Sequence, residues 1–293
     1  MRLARVEFDG SCWIADADPE AQTLTLLERE SSPNGPDLAV ALIAGELDTK
    51  ALAQAGTPVP FSQVRFLPPV RRPSKNVICV GKNYRAHAEE FTRSGYDSSA
   101  APGGDSVPSA VIIFSKAACS LTGAHDDVPV PWQITSEVDY EAELGVVIGK
   151  SGRHIEAEDA YAHVWGYTVI NDVTARDLQA KHRQWLLGKS IDGFCPIGPW
   201  IVSADQVAPE NLQVSCWVNG ERRQHASTEH LIFDIPSIIA TVSASMTLEP
   251  GDIIATGTPA GVGIGFDPPR FLSTGDVVKV SISDIGTLEN RIV

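Results

Sequence analysis

The stretch Glu137-Val138-Asp139-Tyr140-Glu141-Ala142-Glu143-Leu144-Gly145-Val146-Val147-Ile148-Gly149-Lys150 decides the fold. It alternates acidic with mostly apolar residues and then becomes a continuous apolar run. Because side chains two residues apart share one face of a strand, the alternation predicts a strand with its carboxylates on one side. Those carboxylates are Glu137, Asp139, Glu141 and Glu143. The apolar run predicts that the strand then enters a buried core.

The acidic face admits two interpretations. Neighbouring carboxylates repel each other by about 1 kcal/mol in water, and by several times more when they are partly buried. A bound cation would remove this repulsion, and oxygen ligands of this kind suit Mg²⁺, Ca²⁺ or Mn²⁺ rather than zinc. The alternative is a solvated edge strand whose acids prevent aggregation. The spacing alone leaves both interpretations open.

The composition is that of an ordinary soluble globular protein, with 43% hydrophobic and 20% charged residues in a chain of 293. A net charge of −14 argues against nucleic acid or an anionic membrane as a partner, since both require a basic surface. No apolar run is long enough to span a membrane, and residues 1–7 lack the apolar segment of a signal peptide. The five dispersed cysteines fit a reducing compartment, so we expect a cytoplasmic protein.

Two domains are predicted. Residues 1–70 form a small N-terminal α/β module, with strand alternation around Asp9-Gly10 and helical spacing over 37–52. Prolines between positions 58 and 73 then form a stiff connector. The larger catalytic domain is predicted over residues 71–293.

The segment after the connector carries a candidate general base. A short buried strand ends at Gly81 and leads into a helix that places His87 and Glu90 on one face. A neutral histidine beside a carboxylate is the usual base with its orienting partner, although a surface pair in water explains the same spacing. Residues 92–110 are rich in Gly, Ser, Ala, Asp and Pro, which is typical of a mobile functional loop. We therefore predict a lid over about 84–110.

Asp172 stands where a predicted buried strand gives way to a helix, a place where α/β proteins put ligand-binding groups. Helix capping is the alternative role. Thr174 and Asp177 supply a capping-box-like start by themselves, which leaves Asp172 free to be a third oxygen ligand. The helix is predicted to continue to Trp185.

Two later segments contain glycines near polar residues. Gly188-Lys189-Ser190 is similar to the end of a phosphate-binding P-loop, but that motif needs glycine at 183, where Arg183 stands. We therefore reject nucleotide binding and keep Lys189 as a cation beside the carboxylates. The loop 256–265 offers backbone N–H groups to a ligand carboxylate, or is an ordinary loop. Asn219-Gly220 predicts a β-hairpin between these segments.

Taken together, these segments resemble the fumarylacetoacetate hydrolase family in its shorter bacterial form. The resemblance covers residues 75–293 and is carried by motifs that occur in the family's order. They are Gly81-Lys82-Asn83-Tyr84-Arg85-Ala86-His87 with Glu90, Asp139-Tyr140-Glu141-Ala142-Glu143-Leu144, Asn171-Asp172 with Thr174-Ala175-Arg176-Asp177 and Gln179, Gly188-Lys189-Ser190, and Thr256-Gly257-Thr258-Pro259.

The resemblance implies an α+β, β-rich fold, a mixed β-roll of twisted sheets with few helices, usually paired as a homodimer. It implies that Glu141, Glu143 and Asp172 bind the metal, generally Mg²⁺ with Mn²⁺ or Ca²⁺ as substitutes. Glu137 and Asp139 fall outside that match. It also implies three catalytic residues, namely His87, Glu90 and Lys189. The implied substrate-binding residues are Arg176, Gln179, Lys189, Thr258, Gly257 and Tyr84.

The function predicted on this basis is metal-dependent hydrolysis of a carbon–carbon bond. The substrate would be a β-diketo acid such as an acylpyruvate or fumarylpyruvate, cleaved to pyruvate and a carboxylic acid in the catabolism of aromatic or sugar acids. A decarboxylase, isomerase or hydratase/dehydratase that acts on a 2-oxo (di)carboxylic acid through a metal-stabilised enolate is the alternative. A non-catalytic, metal-stabilised binding protein is a third reading.

Overall fold

The computed structural model describes residues 1–32, 35–47, 58–97 and 105–293. The predicted β-rich α+β class with few helices is confirmed. The strands are β1 Arg2–Phe8, β2 Ser11–Asp18, β3 Thr23–Arg29, β4 Val59–Pro60, β5 Arg65–Leu67, β6 Val77–Gly81, β7 Ile112–Lys116, β8 Leu121–Thr122, β9 Val138–Asp139, β10 Ala142–Ile148, β11 Val164–Asn171, β12 Thr174–Ala175, β13 Cys195–Ser203, β14 Gln213–Val218, β15 Glu221–Ser227, β16 Ile253–Ala255, β17 Val277–Ile282 and β18 Gly286–Arg291.

The α-helices are short. They are α1 Leu38–Ile43, α2 Arg85–Ser94, α3 Arg176–His182, α4 Leu186–Lys189 and α5 Ile235–Ser245. Single turns of 3₁₀-helix lie between strands, at Phe61–Gln63, Ala118–Ser120, Ala157–His163, Ala204–Gln206, Pro209–Asn211, Thr228–His230 and Gly263–Gly265. Among the described residues, no helix is long and apolar enough to cross a membrane.

One large mixed sheet forms the body of the protein, in the order β4-β3-β2-β1-β13-β11-β10-β16-β6-β7. Strand β10 lies near its middle, and every one of its residues is buried, which explains the continuous apolar run in the sequence. β10 is antiparallel to β11 and β16, and β16 is parallel to β6. The start of β10 therefore meets the ends of β6, β11 and β16 at one edge of the sheet.

The predicted acidic strand is interrupted, which corrects the single strand that alternation suggested. Asp139 ends β9, which pairs with β12, and β10 begins only at Ala142. At the break, the backbone N–H groups donate to side-chain oxygens from distant parts of the chain. Asn171 Oδ1 accepts from the N–H of Glu141 at 3.1 Å, and Gln224 Oε1 accepts from that of Ala142 at 3.0 Å.

The N-terminal residues extend the same sheet, because β1 pairs with β13 in the register Leu3↔Ile201. The sheet thus contains strands from both sides of the predicted boundary at residue 70. The division into two domains stays a prediction. Helix α1 is shorter than the helical spacing over 37–52 suggested. It is followed by Gly45 at φ +77, and residues 48–57 lie outside the described part of the chain.

A second sheet, β15-β14-β17-β18, packs beside the first. The predicted hairpin at Asn219-Gly220 joins β14 and β15, and both residues have positive φ, as a tight two-residue turn requires. The capping box predicted at Thr174 and Asp177 is wrong. The Asp177 carboxylate accepts instead from the hydroxyl of Thr135 at 2.6 Å and the N–H of Ser136 at 3.1 Å, and α3 ends at His182 rather than at Trp185.

Candidate metal centre and its cleft

Three buried carboxylates meet at the sheet edge where β10 begins. Oxygen atoms of Glu141, Glu143 and Asp172 all lie within 4.8 Å of one another. Glu141 directly precedes β10, Glu143 is its second residue, and Asp172 directly follows β11, so the antiparallel pairing of these strands brings the three together. The structure thus places the three predicted metal ligands at one point.

Glu141 is paired with two buried cations. Lys189 Nζ donates to Glu141 Oε2 at 2.7 Å, and Arg176 Nη2 lies 2.6 Å from Oε1. Burial alone would raise the pKa of this carboxyl, but the two cations lower it well below its ordinary value. Lys189 also donates to Asp172 Oδ2 at 2.7 Å. Burial opposes the charge on Lys189, yet Asp172 and Glu141 raise the pKa of its ammonium, which stays charged.

Glu143 differs from Glu141 because no lysine or arginine forms an ion pair with it among the described residues. The N–H of Gly257 donates to its Oε2 at 2.8 Å. Burial raises the pKa of the Glu143 carboxyl well above its ordinary value, and the charges of Asp172 and Glu141 raise it further. A buried carboxylate in this position needs a proton or a cation to be stable.

The donor set therefore fits a divalent cation. Four buried acids (Asp139, Glu141, Glu143 and Asp172) face three buried bases (Lys116, Arg176 and Lys189), which leaves one negative charge without a counter-charge. Each carboxylate oxygen has two lone pairs, so the oxygens already paired with lysine or arginine keep capacity for a metal. Oxygen ligands favour Mg²⁺, Mn²⁺ or Ca²⁺.

Lys116 belongs to the site although no pattern in the sequence distinguishes it from other lysines. This fully buried residue ends β7, and its Nζ lies 2.7 Å from Asp172 Oδ1. It also donates to the carbonyl of Val173 at 3.0 Å and to that of Lys189. Lys116 thus fixes both the acid at 172 and the segment that carries Lys189.

Asp139 holds the periphery of the site rather than a metal. Its carboxylate accepts from Arg176 Nε at 2.9 Å and from the N–H groups of Gly263 at 2.6 Å and Ile264 at 3.2 Å. This places the guanidinium of Arg176 against Glu141 and fixes the glycine-rich loop 256–265 to the sheet. The exclusion of Asp139 from the predicted ligands agrees with these contacts.

Helix α2 brings His87 to the cleft wall and holds Glu90 beside it. His87 Nδ1 lies 3.4 Å from Glu90 Oε2, and the imidazole stacks on the ring of Phe91. The Glu90 carboxylate also accepts from the N–H of Gly261, at 3.0 and 3.1 Å. Glu90 thus joins the helix to the glycine-rich loop while it orients the imidazole. The rest of the predicted lid is described only in part, because residues 98–104 lie outside the described ranges.

We expect Gly265→Ala to displace Glu90, because a Cβ at this position would overlap with the Glu90 carboxylate. The displaced carboxylate would lose its hydrogen bond from the N–H of Gly261, and a hydrogen bond to a charged group contributes about 1.5–3 kcal/mol. The free energy of unfolding from urea titration measures the cost. The control is the same substitution in a Glu90→Ala background, where the overlap disappears and the loss should shrink to a few tenths of a kcal/mol. An equal loss in both backgrounds would contradict the assigned contact.

The cleft between these elements is narrow, with about 20 Å³ of free volume in this conformation, which is room for about one water molecule. Its polar wall includes most of the residues discussed above together with two predicted substrate-binding residues. Gln179 Oε1 accepts from Arg176 Nη1 at 3.1 Å, and Thr258 Oγ1 accepts from Gln224 Nε2 at 2.8 Å. The apolar wall consists of Val80, Phe91, Phe114 and Trp185.

Two of the predicted substrate-binding residues do not line the cleft. Tyr84 lines a neighbouring pocket with Arg85 and Pro259, so the structure does not bring it to the cleft. Gly257 is the donor to Glu143, and its φ of +102 and the close approach of Asn83 require glycine at this position. It therefore positions an acid of the cluster rather than lining the cleft.

Comparison with known proteins gives one family. A family model described as fumarylacetoacetate (FAA) hydrolase C-terminal matches residues 76–293. The oxaloacetate tautomerase YisK of Bacillus subtilis is 50% identical over 233 residues, which are 79% of this chain and 74% of that protein.

Solved structures agree with the fold over its whole length. The fumarylacetoacetate hydrolase of psychrophilic Exiguobacterium antarcticum superposes with a TM-score of 0.84 at 39% identity, over 100% of this chain and 99% of that one. The maleylpyruvate hydrolase of Sphingobium sp. SYK-6, solved with manganese(II) and pyruvate, has a TM-score of 0.76 at 32% identity, over 100% and 99%.

Proposed function

Because this chain belongs to the fumarylacetoacetate hydrolase family, a family of enzymes, we propose that it is a metal-dependent tautomerase that interconverts the enol and keto forms of oxaloacetate. The observation that carries this proposal is the buried acid cluster, which fits a divalent cation and shares a narrow cleft with the His87–Glu90 pair. The 50% identity to an oxaloacetate tautomerase supports the choice of reaction.

Glu141, Glu143 and Asp172 would hold Mg²⁺, or Mn²⁺ in its place. When bound, the ion supplies Lewis-acid stabilisation of negative charge on the 2-oxygen of the substrate. Lys189 adds to this stabilisation, because its ammonium is charged, donates to two of the acids and has a third N–H to offer to a substrate oxygen.

His87 would transfer the proton. Tautomerisation moves one proton between the 2-oxygen and C3 of oxaloacetate, so a single group that accepts and returns a proton is sufficient. When Nδ1–H points at Glu90, Nε2 carries a free lone pair and can act as the base. The narrow cleft favours a small acid over a bulky one.

The test is to mix purified protein with enol-oxaloacetate in the presence of Mg²⁺ and to follow the loss of enol absorbance. We expect catalysed conversion to the keto form, no catalysis after EDTA treatment, and recovery when Mg²⁺ or Mn²⁺ is added. Absence of a metal-dependent rate above the uncatalysed one would contradict the proposal.

Hydrolysis of an acylpyruvate is the second candidate. It is supported by the same His–Glu pair, which could activate a water, and by the likeness to maleylpyruvate hydrolase. Detection of pyruvate from an acylpyruvate by lactate dehydrogenase coupling, at a rate far above that of oxaloacetate tautomerisation, would favour this candidate over the first.

A further inference from the structure

The proposed substrate carries two carboxylates, and the acid cluster accounts for one of them. A metal at Glu141, Glu143 and Asp172 would attract the 2-oxo acid end. The distal carboxylate, on C4, needs a cation of its own if it is to enter a cleft with little water. The candidates are the lysines and the arginine at the cleft.

Three of these cations are already committed. Arg176 donates from Nε to Asp139 and from Nη1 to Gln179, and its Nη2 lies 2.6 Å from Glu141 Oε1, so two acids already share its charge. Lys116 lies behind the cluster, where its ammonium contacts Asp172 and two backbone carbonyls. Lys189 has two donors on the metal-binding acids, so its remaining donor lies beside the 2-oxo end.

Lys82 has N–H donors that can bind a further carboxylate. It follows β6, lines the cleft, and is 5% exposed. Among the described residues, its one ion-pair partner is Asp97, and its ammonium also lies 5.8 Å from the centre of the Phe91 ring. An ammonium has three N–H donors, so the pair with Asp97 leaves donors for a second carboxylate.

The backbone around Lys82 is held in an unusual conformation. Lys82 has φ +56, in the left-handed region that disfavours residues with a Cβ. The next residue, Asn83, fixes the turn, since its side chain donates to the carbonyls of Phe233 at 2.9 Å and Thr256 at 2.8 Å and accepts from the N–H of Phe233 at 2.8 Å. Backbone strain that is fixed in this way is characteristic of functional sites.

We propose that Lys82 binds the distal carboxylate of a 2-oxo dicarboxylate and so selects dicarboxylates over monocarboxylates. The inference rests on the proposed function, because it assigns the far end of the same substrate. Asp97 then has the role of holding the ammonium over the cleft when substrate is absent.

The test uses Lys82→Met and matched ligand pairs that differ in the distal carboxylate. Malate and lactate share a 2-hydroxy acid end, and oxalate occupies the metal end alone. By calorimetry on the Mg²⁺-loaded protein, we expect at least a tenfold loss of malate affinity and changes within twofold for lactate and oxalate. KM for oxaloacetate should rise at least tenfold, with a smaller change in kcat.

Three variants keep the result interpretable. Lys82→Arg should restore most of the malate affinity, and Lys82→Met/Asp97→Asn removes the charge of the acid that pairs with Lys82 in the wild-type protein. Lys279→Met deletes an exposed lysine from β17 and should change none of these values. Equal losses for malate and oxalate, or no loss for malate, would overturn the assignment.

The outcomes also separate this inference from the proposed reaction. If the wild-type protein fails to convert oxaloacetate, but Lys82→Met binds malate more weakly than the wild type does, the proposed reaction is wrong and the carboxylate site stands. If the wild-type protein converts oxaloacetate and Lys82→Met does so with unchanged KM, the reaction stands and the role of Lys82 is wrong.

Discussion

Replacing Glu143 by Gln is expected to abolish turnover and, at the same time, to stabilise the metal-free protein. Turnover should fall by about 10³-fold, because the metal site loses one negative charge and with it several kcal/mol of charge stabilisation, at about 1.4 kcal/mol for each tenfold. Stability should rise by about 1–3 kcal/mol, the range for the desolvation cost of a buried group, because the charge of Glu143 is buried beside two other acids. Glutamine keeps an oxygen that can accept from Gly257.

Glu143 also makes the stability of the metal-free protein depend on pH, and the direction of this dependence can be predicted. The pKa of Glu143 is higher in the folded than in the unfolded chain, so the native state binds more protons in the window between the two values. Stability therefore falls as pH rises through that window, and added Mg²⁺ should stabilise most at its upper end. In Glu143→Gln this part of the slope should be absent. Urea titrations at several pH values, with and without Mg²⁺, measure both effects.

Glu141→Gln is the matched control, because the same chemical change should have the opposite effect on stability. Glu141 is paired with Lys189 and Arg176, and breaking a buried ion pair from one side costs about 3–5 kcal/mol. Destabilisation by both substitutions would show that Glu143 is compensated in a way that the structure does not contain, and would contradict the proposed electrostatics.

The second large effect is expected for His87→Ala, which should lower kcat for oxaloacetate tautomerisation by about 10²–10⁴-fold, the usual contribution of a general base. Metal affinity should be unchanged, since His87 contacts Glu90 and Phe91 rather than the acid cluster. Stopped-flow absorbance gives kcat, and titration with Mn²⁺ followed by electron paramagnetic resonance gives the metal affinity.

His182→Ala provides the control for histidine loss, because His182 lies exposed at the end of α3. It should leave both measurements unchanged. A His87→Ala protein that retains full turnover would assign the proton transfer to another group, and one that no longer binds Mn²⁺ would mean that α2 supports the acid cluster directly.

Local patterns were sufficient where a residue's neighbours in sequence are also its neighbours in space. The apolar run of β10 and the Asn219-Gly220 turn are two examples. The break before β10 could not be predicted, because the side chains that satisfy it, Asn171 and Gln224, come from other strands. The capping box failed for a similar reason, since Thr135 and Ser136 compete for the Asp177 carboxylate.

The candidate site shows the same division. The acids at 141, 143 and 172 could be proposed from spacing and resemblance, and the structure brings them together. The importance of Lys116 could not be inferred, because a lysine at the end of a strand is common and only the fold directs its ammonium to Asp172. Lys82 stood within a recognised motif, but its pairing with Asp97 joins two segments whose contact the sequence does not reveal. The homodimer and the cytoplasmic location stay predictions.

The parallel pairing of β16 with β6 has a consequence for how this protein folds. Strand β16 joins β10 through Gly145↔Ala255 and β6 through Ile254↔Ile78, so it links segments that are far apart in the chain. Such pairings form slowly, because much chain entropy is lost before any contact is gained. We therefore expect the acid cluster to be completed late in folding, and a nascent chain that ends before β16 carries its three acids without the Gly257 N–H that Glu143 accepts from in the finished protein.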